Sequence, residues 1–206
     1  MGDGLLGLLD SREAKVLISH LDKRRKLYMG IFAMGFVAGY PIAEVIIEWL
    51  LDSDGYIPVG VEVIILQPLE VILLQLRIAA QIAFGMIIAT VIIDLAWTGG
   101  RLFPEAASKL RRPPRGSEAV TVILMSAALG AIGLAYSHNV LIPFLLEYLA
   151  EDSAESGLQS TWQLQSWVGF VTGLYFSSVL GFQVPIIAVL LIRSGLVERR
   201  AIVVDR

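Results

Sequence analysis

Four long apolar runs, parted by short segments into which almost all the charge is crowded, constrain this chain more than any other feature of its sequence. The first runs from about 27 to 51 and contains YMGIFAMGFVAGYPIAEVIIEWLL. The second covers about 64–97, the third about 120–149 and the fourth about 167–192. A bilayer core about 30 Å thick needs roughly 20 helical residues at about 1.5 Å each, and all four runs reach that length. The second exceeds it, so it must tilt, kink or project into water. Composition agrees: 56% of the 206 residues are hydrophobic and 17% charged, against roughly 45–50% and about 25% in an ordinary soluble domain. The expected fold class is all-α, a polytopic helical membrane protein with four transmembrane helices in a single membrane domain. The chain has no cysteine, which excludes a disulfide-held module and any thiolate metal site.

Orientation follows from lysine and arginine placement. The segment before the first span carries Arg12, Lys15, Lys23, Arg24, Arg25 and Lys26; the loop 98–119 carries Arg101, Lys109, Arg111, Arg112 and Arg115; the tail carries Arg193, Arg199, Arg200 and Arg206. The connections 52–63 and 150–166 hold acids but no lysine or arginine, and Arg77 is the one basic residue elsewhere. Both termini and the loop 98–119 are therefore expected in the cytoplasm, with 52–63 and 150–166 outside. The net charge of −3 averages these unlike populations. Residues 1–26 read as an interfacial segment, with a short helix over 4–19 that puts Leu5, Leu6, Leu9, Val16 and Leu17 on or near one side. GLLGLL has no basic residue before it and is too short for a cleavable signal. KRRK ahead of an apolar run superficially matches a twin-arginine export signal, but four spans follow, and a positive-inside anchor explains it. In the inner loop, Pro113-Pro114 and Gly116 are expected to end a short surface helix.

Ionisable groups inside a span cost at least a few kcal/mol, so each is a functional candidate to be weighed against a structural role. Glu44 and Glu48 share a helix face and can both reach the outer interface. Glu70 and Arg77 are seven apart on one face, as a structural ion pair or with Arg77 snorkelling. Ser137, His138 and Asn139 precede Pro143, and the only other histidine, His20, belongs to the opposite side, so no metal site is expected. Gln183 lies near the middle of the fourth span, roughly 16 Å from its inner end. Pro185 frees the carbonyl of Gly181 beside it, so the pair makes a polar notch or, equally, a helix–helix hydrogen bond. No nucleophile–base pair, phosphate loop or paired catalytic carboxylates occur, and the chain does not read as an enzyme. On these residues alone a small transporter or channel lined by Glu44, Glu48, Glu70, Arg77 and Asp94 competes with a membrane scaffold.

The order of these features resembles the TatC family, the multispanning subunit of the twin-arginine protein translocase, from about Ser19 to Arg200. His20-Leu21 and Arg25 fall in the family's His-Leu-x-Glu-Leu-Arg pattern. Gln67-Pro68-Leu69-Glu70 leading to Arg77 is similar to its Pro-x-Glu followed by a basic residue. LGAIGLAYSHNVLIPFLLEYL resembles its third span, and GFQVPIIAVLLIRSGLV its Phe-(Glu/Gln)-Val/Leu-Pro segment with a Gly turn. The resemblance implies a signal-peptide-binding subunit that uses the proton motive force, hydrolyses no nucleotide and needs no cofactor or nucleic acid. Implied partners are twin-arginine signal peptides of folded precursors, single-span TatA- and TatB-type subunits, further copies of the chain and membrane lipid. Glu118 takes the position of the family's loop glutamate, with Glu105 the fallback. At the N-terminal glutamate position stands Lys23, a departure, with Asp22 beside it; His20 and Arg25 complete that site. Gln183 matches a polar residue implied to meet a partner helix, Glu70 and Arg77 are the other intramembrane polar positions, and Pro68, Pro143 and Pro185 shape helices. The family has six spans, and this sequence stops after four, at RRAIVVDR, so the resemblance implies a C-terminally truncated chain.

Overall fold

The computed structural model describes residues 12–53, 56–58, 60–102, 116–155 and 161–193. The elements are α1 (Arg12–Lys23), α2 (Arg25–Asp52), β1 (Glu62–Ile64), α3 (Glu70–Leu102), α4 (Gly116–Tyr136), a π turn (Ser137–Leu141), α5 (Ile142–Glu155), β2 (Thr161–Gln163) and α6 (Leu164–Arg193). Stretches Arg25–Asp52, Glu70–Thr98, Ala119–Ser153 and Leu164–Leu190 are long and apolar enough to cross a membrane. Their outward faces carry large apolar side chains such as Met34, Val37, Leu124 and Phe144. Such exposure over whole helices suits lipid rather than water, and the chain is a multipass membrane protein. Of the expected interfacial helix 4–19, residues 4–11 lie outside the described residues, as does the surface helix expected before Pro113. Gly116 is the first residue of α4.

The chain divides into two compact units, residues 1–30, 87–128 and 183–206, and residues 31–86 and 129–182. The second contains the main apolar core, where Leu50 of α2, Leu74 of α3, Ile142 and Leu146 of α5, and Val168 and Val171 of α6 are almost wholly buried. Small residues at four-residue spacing bring α2 and α3 together. Gly35, Gly39 and Ala43 lie on one stripe of α2, and a Cβ on Gly39 would stand 3.1 Å from the Ala79 Cα. In a bilayer, where lipid is as apolar as the side chains, this close backbone approach supplies much of the packing energy. Gly39→Leu is therefore expected to destabilise the chain by about 1–3 kcal/mol through overpacking, measured as a lower midpoint of thermal unfolding in detergent. A midpoint equal to that of the unsubstituted chain would contradict this packing.

The connections ahead of α3 and α6 each contain a short strand. β1 and β2 pair in parallel, Glu62 with Thr161, Val63 with Trp162 and Ile64 with Gln163. This corrects the second span, predicted to begin at 64: residues 62–64 are strand and the helix begins at Glu70. The reason lies in Pro68, which disfavours helical geometry at Gln67 and is tolerated only ahead of or within a first turn. The apolar run over 63–66 satisfies a hydropathy window as well in extended form as in helix. Farther on, the Ile142 N–H donates to the Ser137 carbonyl, closing the π turn. Pro143 has no N–H to give, and its ring would strike the carbonyl four residues back; the wider turn just ahead of it is a usual accommodation. Within the same unit Ser137 is wholly buried, its Oγ 3.0 Å from that of Ser178.

Candidate functional site

In the first unit, α1 passes into α2 with one turn residue, Arg24, whose N–H still reaches the carbonyls of His20 and Leu21 at 3.3 and 3.1 Å. Helical spacing is thus nearly kept through the junction. His20, Arg24 and Tyr28, each four residues after the last, fall on one face. That face meets Asp94 of α3. The His20 Nε2 stands 2.7 Å from Asp94 Oδ2, and the Tyr28 hydroxyl donates to the same oxygen at 3.0 Å. An Arg24 guanidinium nitrogen lies 2.6 Å from Oδ1, and Thr98, one turn along α3, donates to Oδ1 at 3.1 Å. Both carboxylate oxygens therefore have two partners each. Asp94 is only 7% exposed, whereas the Arg24 side chain is 43% exposed. The arrangement is a nearly buried anion beneath a cation that stays in contact with water.

The other residues expected near the inner face are arranged differently. Asp22 and Arg25 are both about seven-tenths exposed and stand 3.8 Å apart, a loose ion pair on the surface of the junction. Lys23 is exposed. Of the expected set, only His20 is drawn into a defined constellation. Glu118 belongs to the first turn of α4, but its side chain lies outside the described residues, and Glu105 does so altogether. Gln183 is buried and its amide is fully engaged within the first unit. Its Oε1 accepts from the Ser126 hydroxyl at 2.5 Å, and its Nε2 donates to the Ser126 carbonyl at 3.0 Å. Of the two roles expected for this amide, the geometry realises the helix–helix hydrogen bond, joining α4 to α6. Pro185 is exposed two residues on.

In the second unit Glu70 is 1% exposed. One oxygen, Oε1, accepts from the backbone N–H of Leu66 at 3.0 Å and of Gln67 at 2.9 Å, and from Gln163 Nε2 at 2.7 Å. It ties the turn after β1 to the end of β2. The expected Glu70–Arg77 ion pair does not form: the donors occupy only Oε1, Oε2 is buried without a hydrogen-bond partner, and Arg77 has no ion-pair partner among the described residues. Its guanidinium instead lies over Gly169 of α6, against which any Cβ would clash. Glu44 and Glu48 are exposed. His138, Tyr56 and Tyr175 form a hydrogen-bonded trio, with Trp49 against the rings of His138 and Tyr56. No group of three or more His, Asp or Glu among the described residues could hold a metal ion.

Sequence reasoning missed Asp94 as the centre of a site, as it missed the strand pair. A signal was present in the spacing His20, Arg24, Tyr28 ahead of a span that ends with a carboxylate.

Comparison with known proteins bears on the whole chain. The family model of the Sec-independent protein translocase protein TatC matches residues 17–206. The chloroplastic Sec-independent protein translocase protein TATC of Pisum sativum is 40% identical over 77 residues, 37% of this chain and 22% of that protein. The Sec-independent protein translocase protein TatC of Synechocystis sp. is 28% identical over 189 residues, 88% of this chain and 68% of that one. TatCy of Bacillus subtilis is 26% identical over 184 residues, 87% and 67% of the two chains. The chain thus spans about two thirds of these bacterial relatives and, in the matched stretch, about a fifth of the pea protein. A crystal structure of the twin-arginine translocase receptor TatC superposes with a TM-score of 0.63 at 19% identity, covering 87% of this chain and 76% of that one. That likeness extends to the four long helices and establishes the common fold. With the family model matching all but the first sixteen residues, the chain belongs to the TatC family of Sec-independent protein translocase proteins.

Proposed function

We propose that this chain is the signal-peptide-binding core subunit of a twin-arginine translocation system, exporting folded proteins across the cytoplasmic membrane on the proton motive force. The observation that carries this reading is the family match over residues 17–206. The asymmetry of the basic residues supports an orientation with both termini in the cytoplasm, which brings the α1–α2 junction and the start of α4 to the side where a precursor arrives. Two arginines call for carboxylates, since the guanidinium fork pairs with them through two parallel bonds. Glu118, Asp22 and the fallback Glu105 are the candidates. Each exposed pair contributes at most about 1 kcal/mol, so recognition requires both arginines and the apolar part of the signal to be engaged together.

Partner helices of the TatA and TatB type and further copies of the chain complete the complex, and Gln183 is the residue we assign to their docking. With its amide shared with Ser126, it acts by fixing the α4–α6 seam against which a partner lies. The test is crosslinking of a twin-arginine precursor to the chain in membranes, with a photoreactive residue placed near position 118. Glu118→Ala is expected to lower the crosslinked yield up to about fivefold, the scale of an exposed ion pair; an unchanged yield would overturn the assignment of Glu118. Gln183→Leu is expected to reduce copurification of single-span partners severalfold while peptide capture persists. Equal loss of both would argue against a docking role.

A further inference from the structure

The sequence KRRK contains two adjacent arginines, and each stands next to a carboxylate of its own chain: Arg24 at 2.6 Å from Asp94 and Arg25 at 3.8 Å from Asp22. The two pairs are unlike. The Asp22–Arg25 pair is open to water at both ends, where such contacts contribute little. Asp94 is nearly buried and receives hydrogen bonds from His20, Tyr28 and Thr98 in addition to Arg24. An anion so placed cannot be left without a cation except at a cost of several kcal/mol. Its cation, by contrast, is half in water and is free to leave toward solvent.

We propose that Asp94 is a guanidinium-binding site for one arginine of an incoming basic peptide, and that Arg24 occupies it until that peptide arrives. The inference rests on the signal-binding function proposed above and adds a residue that function had not assigned. Exchange of one guanidinium for another keeps the buried carboxylate paired throughout. It therefore avoids the penalty of exposing an uncompensated charge, and only the difference between two similar contacts opposes it. His20, Tyr28 and Thr98 stay in place and hold the carboxylate in the orientation that a second arginine requires. A lysine ammonium lacks the planar fork and is more strongly hydrated, so it competes with Arg24 less well. The occupied state also gives a reason for the departure at Lys23. A chain with a lysine where the family carries a glutamate needs another anion near this junction, and Asp94 supplies one within reach of the turn between α1 and α2.

The experiment is equilibrium binding of a fluorescent twin-arginine signal peptide, and of the same peptide with both arginines changed to lysine, to the full chain in nanodiscs. The unsubstituted chain is expected to prefer the twin-arginine peptide; no preference would defeat the proposed function itself. Given that preference, Arg24→Gln is expected to tighten binding of the twin-arginine peptide about tenfold, since it removes a competing charge-assisted bond. Asp94→Asn is expected to weaken it by a similar factor, and the double variant to lose the gain. Unchanged or weaker binding to Arg24→Gln, with the preference of the unsubstituted chain intact, would overturn the guanidinium site and leave the proposed function standing. A photoreactive residue at Trp97, which is exposed beside Thr98 and outside the constellation, gives a second reading that leaves Arg24 and all the partners of Asp94 in place. The twin-arginine peptide is expected to crosslink there and the twin-lysine peptide is not, and crosslinking by neither would equally overturn the site.

Discussion

Replacing Asp94 by alanine is expected to lower the unfolding free energy of the chain by about 2–4 kcal/mol, the range for stripping several donors and a cation of a buried acceptor. The carboxylate is the one group that His20, Arg24, Tyr28 and Thr98 all address. Without it, the Arg24 guanidinium can turn to water, because its side chain is already 43% exposed. The half-buried His20 and Tyr28 have no such easy exit, and they carry most of the loss. Asn at the same position should cost less than Ala. It retains one acceptor oxygen for part of the set, but it brings an amide N–H against donors and leaves Arg24 without a counter-charge. Chemical denaturation in detergent or nanodiscs measures the difference. A stability for Asp94→Ala within about 0.5 kcal/mol of the unsubstituted chain, the ordinary range for an uninvolved surface change, would show that the four contacts do not act together.

The second large effect is expected at Glu70. Its Oε1 accepts from two backbone N–H groups and from Gln163, and the residue is 1% exposed. Glu70→Ala strands the N–H groups of Leu66 and Gln67 and the amide of Gln163. The expected loss is about 2–4 kcal/mol, because three hydrogen bonds to one carboxylate oxygen are lost, each worth about 0.5–1.5 kcal/mol net. Glu70→Gln keeps one carbonyl acceptor and should cost roughly half as much. Amide hydrogen exchange localises the effect. Protection is expected to fall first over residues 62–67 and 161–163, the two strands and the turn that this carboxylate ties together. Loss confined to the body of α3 would contradict that role.

The spans were legible because an apolar run of the right length suffices to identify a membrane helix, and the four long helices lie where the hydropathy puts them. The start of α3 was not, because the apolar residues between Val63 and Leu66 look the same in strand and helix. Only Pro68 hinted at the break. Pro143 was recognised as shaping a helix, but the π turn before it depends on backbone hydrogen bonding that a residue pattern does not reveal. The site was legible in part. His20 was singled out, yet its partner Asp94 lies 74 positions away, and Tyr28 is separated from the same residue by 66. No local spacing carries such pairings; only the packing of α3 beside the α1–α2 junction creates them. Gln183 was correctly read as a polar residue in an apolar span, but Ser126, 57 positions before it, decides what that amide does. Glu70 and Arg77 share a face as their spacing requires, but one Glu70 oxygen receives two backbone N–H groups from the turn at Pro68 and the Arg77 guanidinium lies against Gly169.

Capture of twin-arginine signals by this TatC-family chain is open to a direct binding measurement. A twin-arginine signal peptide and its twin-lysine counterpart are titrated onto the full chain in nanodiscs at low salt and again at about 0.15 M salt, where screening over about 8 Å removes non-specific attraction. The twin-arginine peptide is expected to bind about tenfold tighter, or more, at the higher salt, as expected of a bidentate guanidinium–carboxylate contact. Equal affinities for the two peptides at that salt would contradict it.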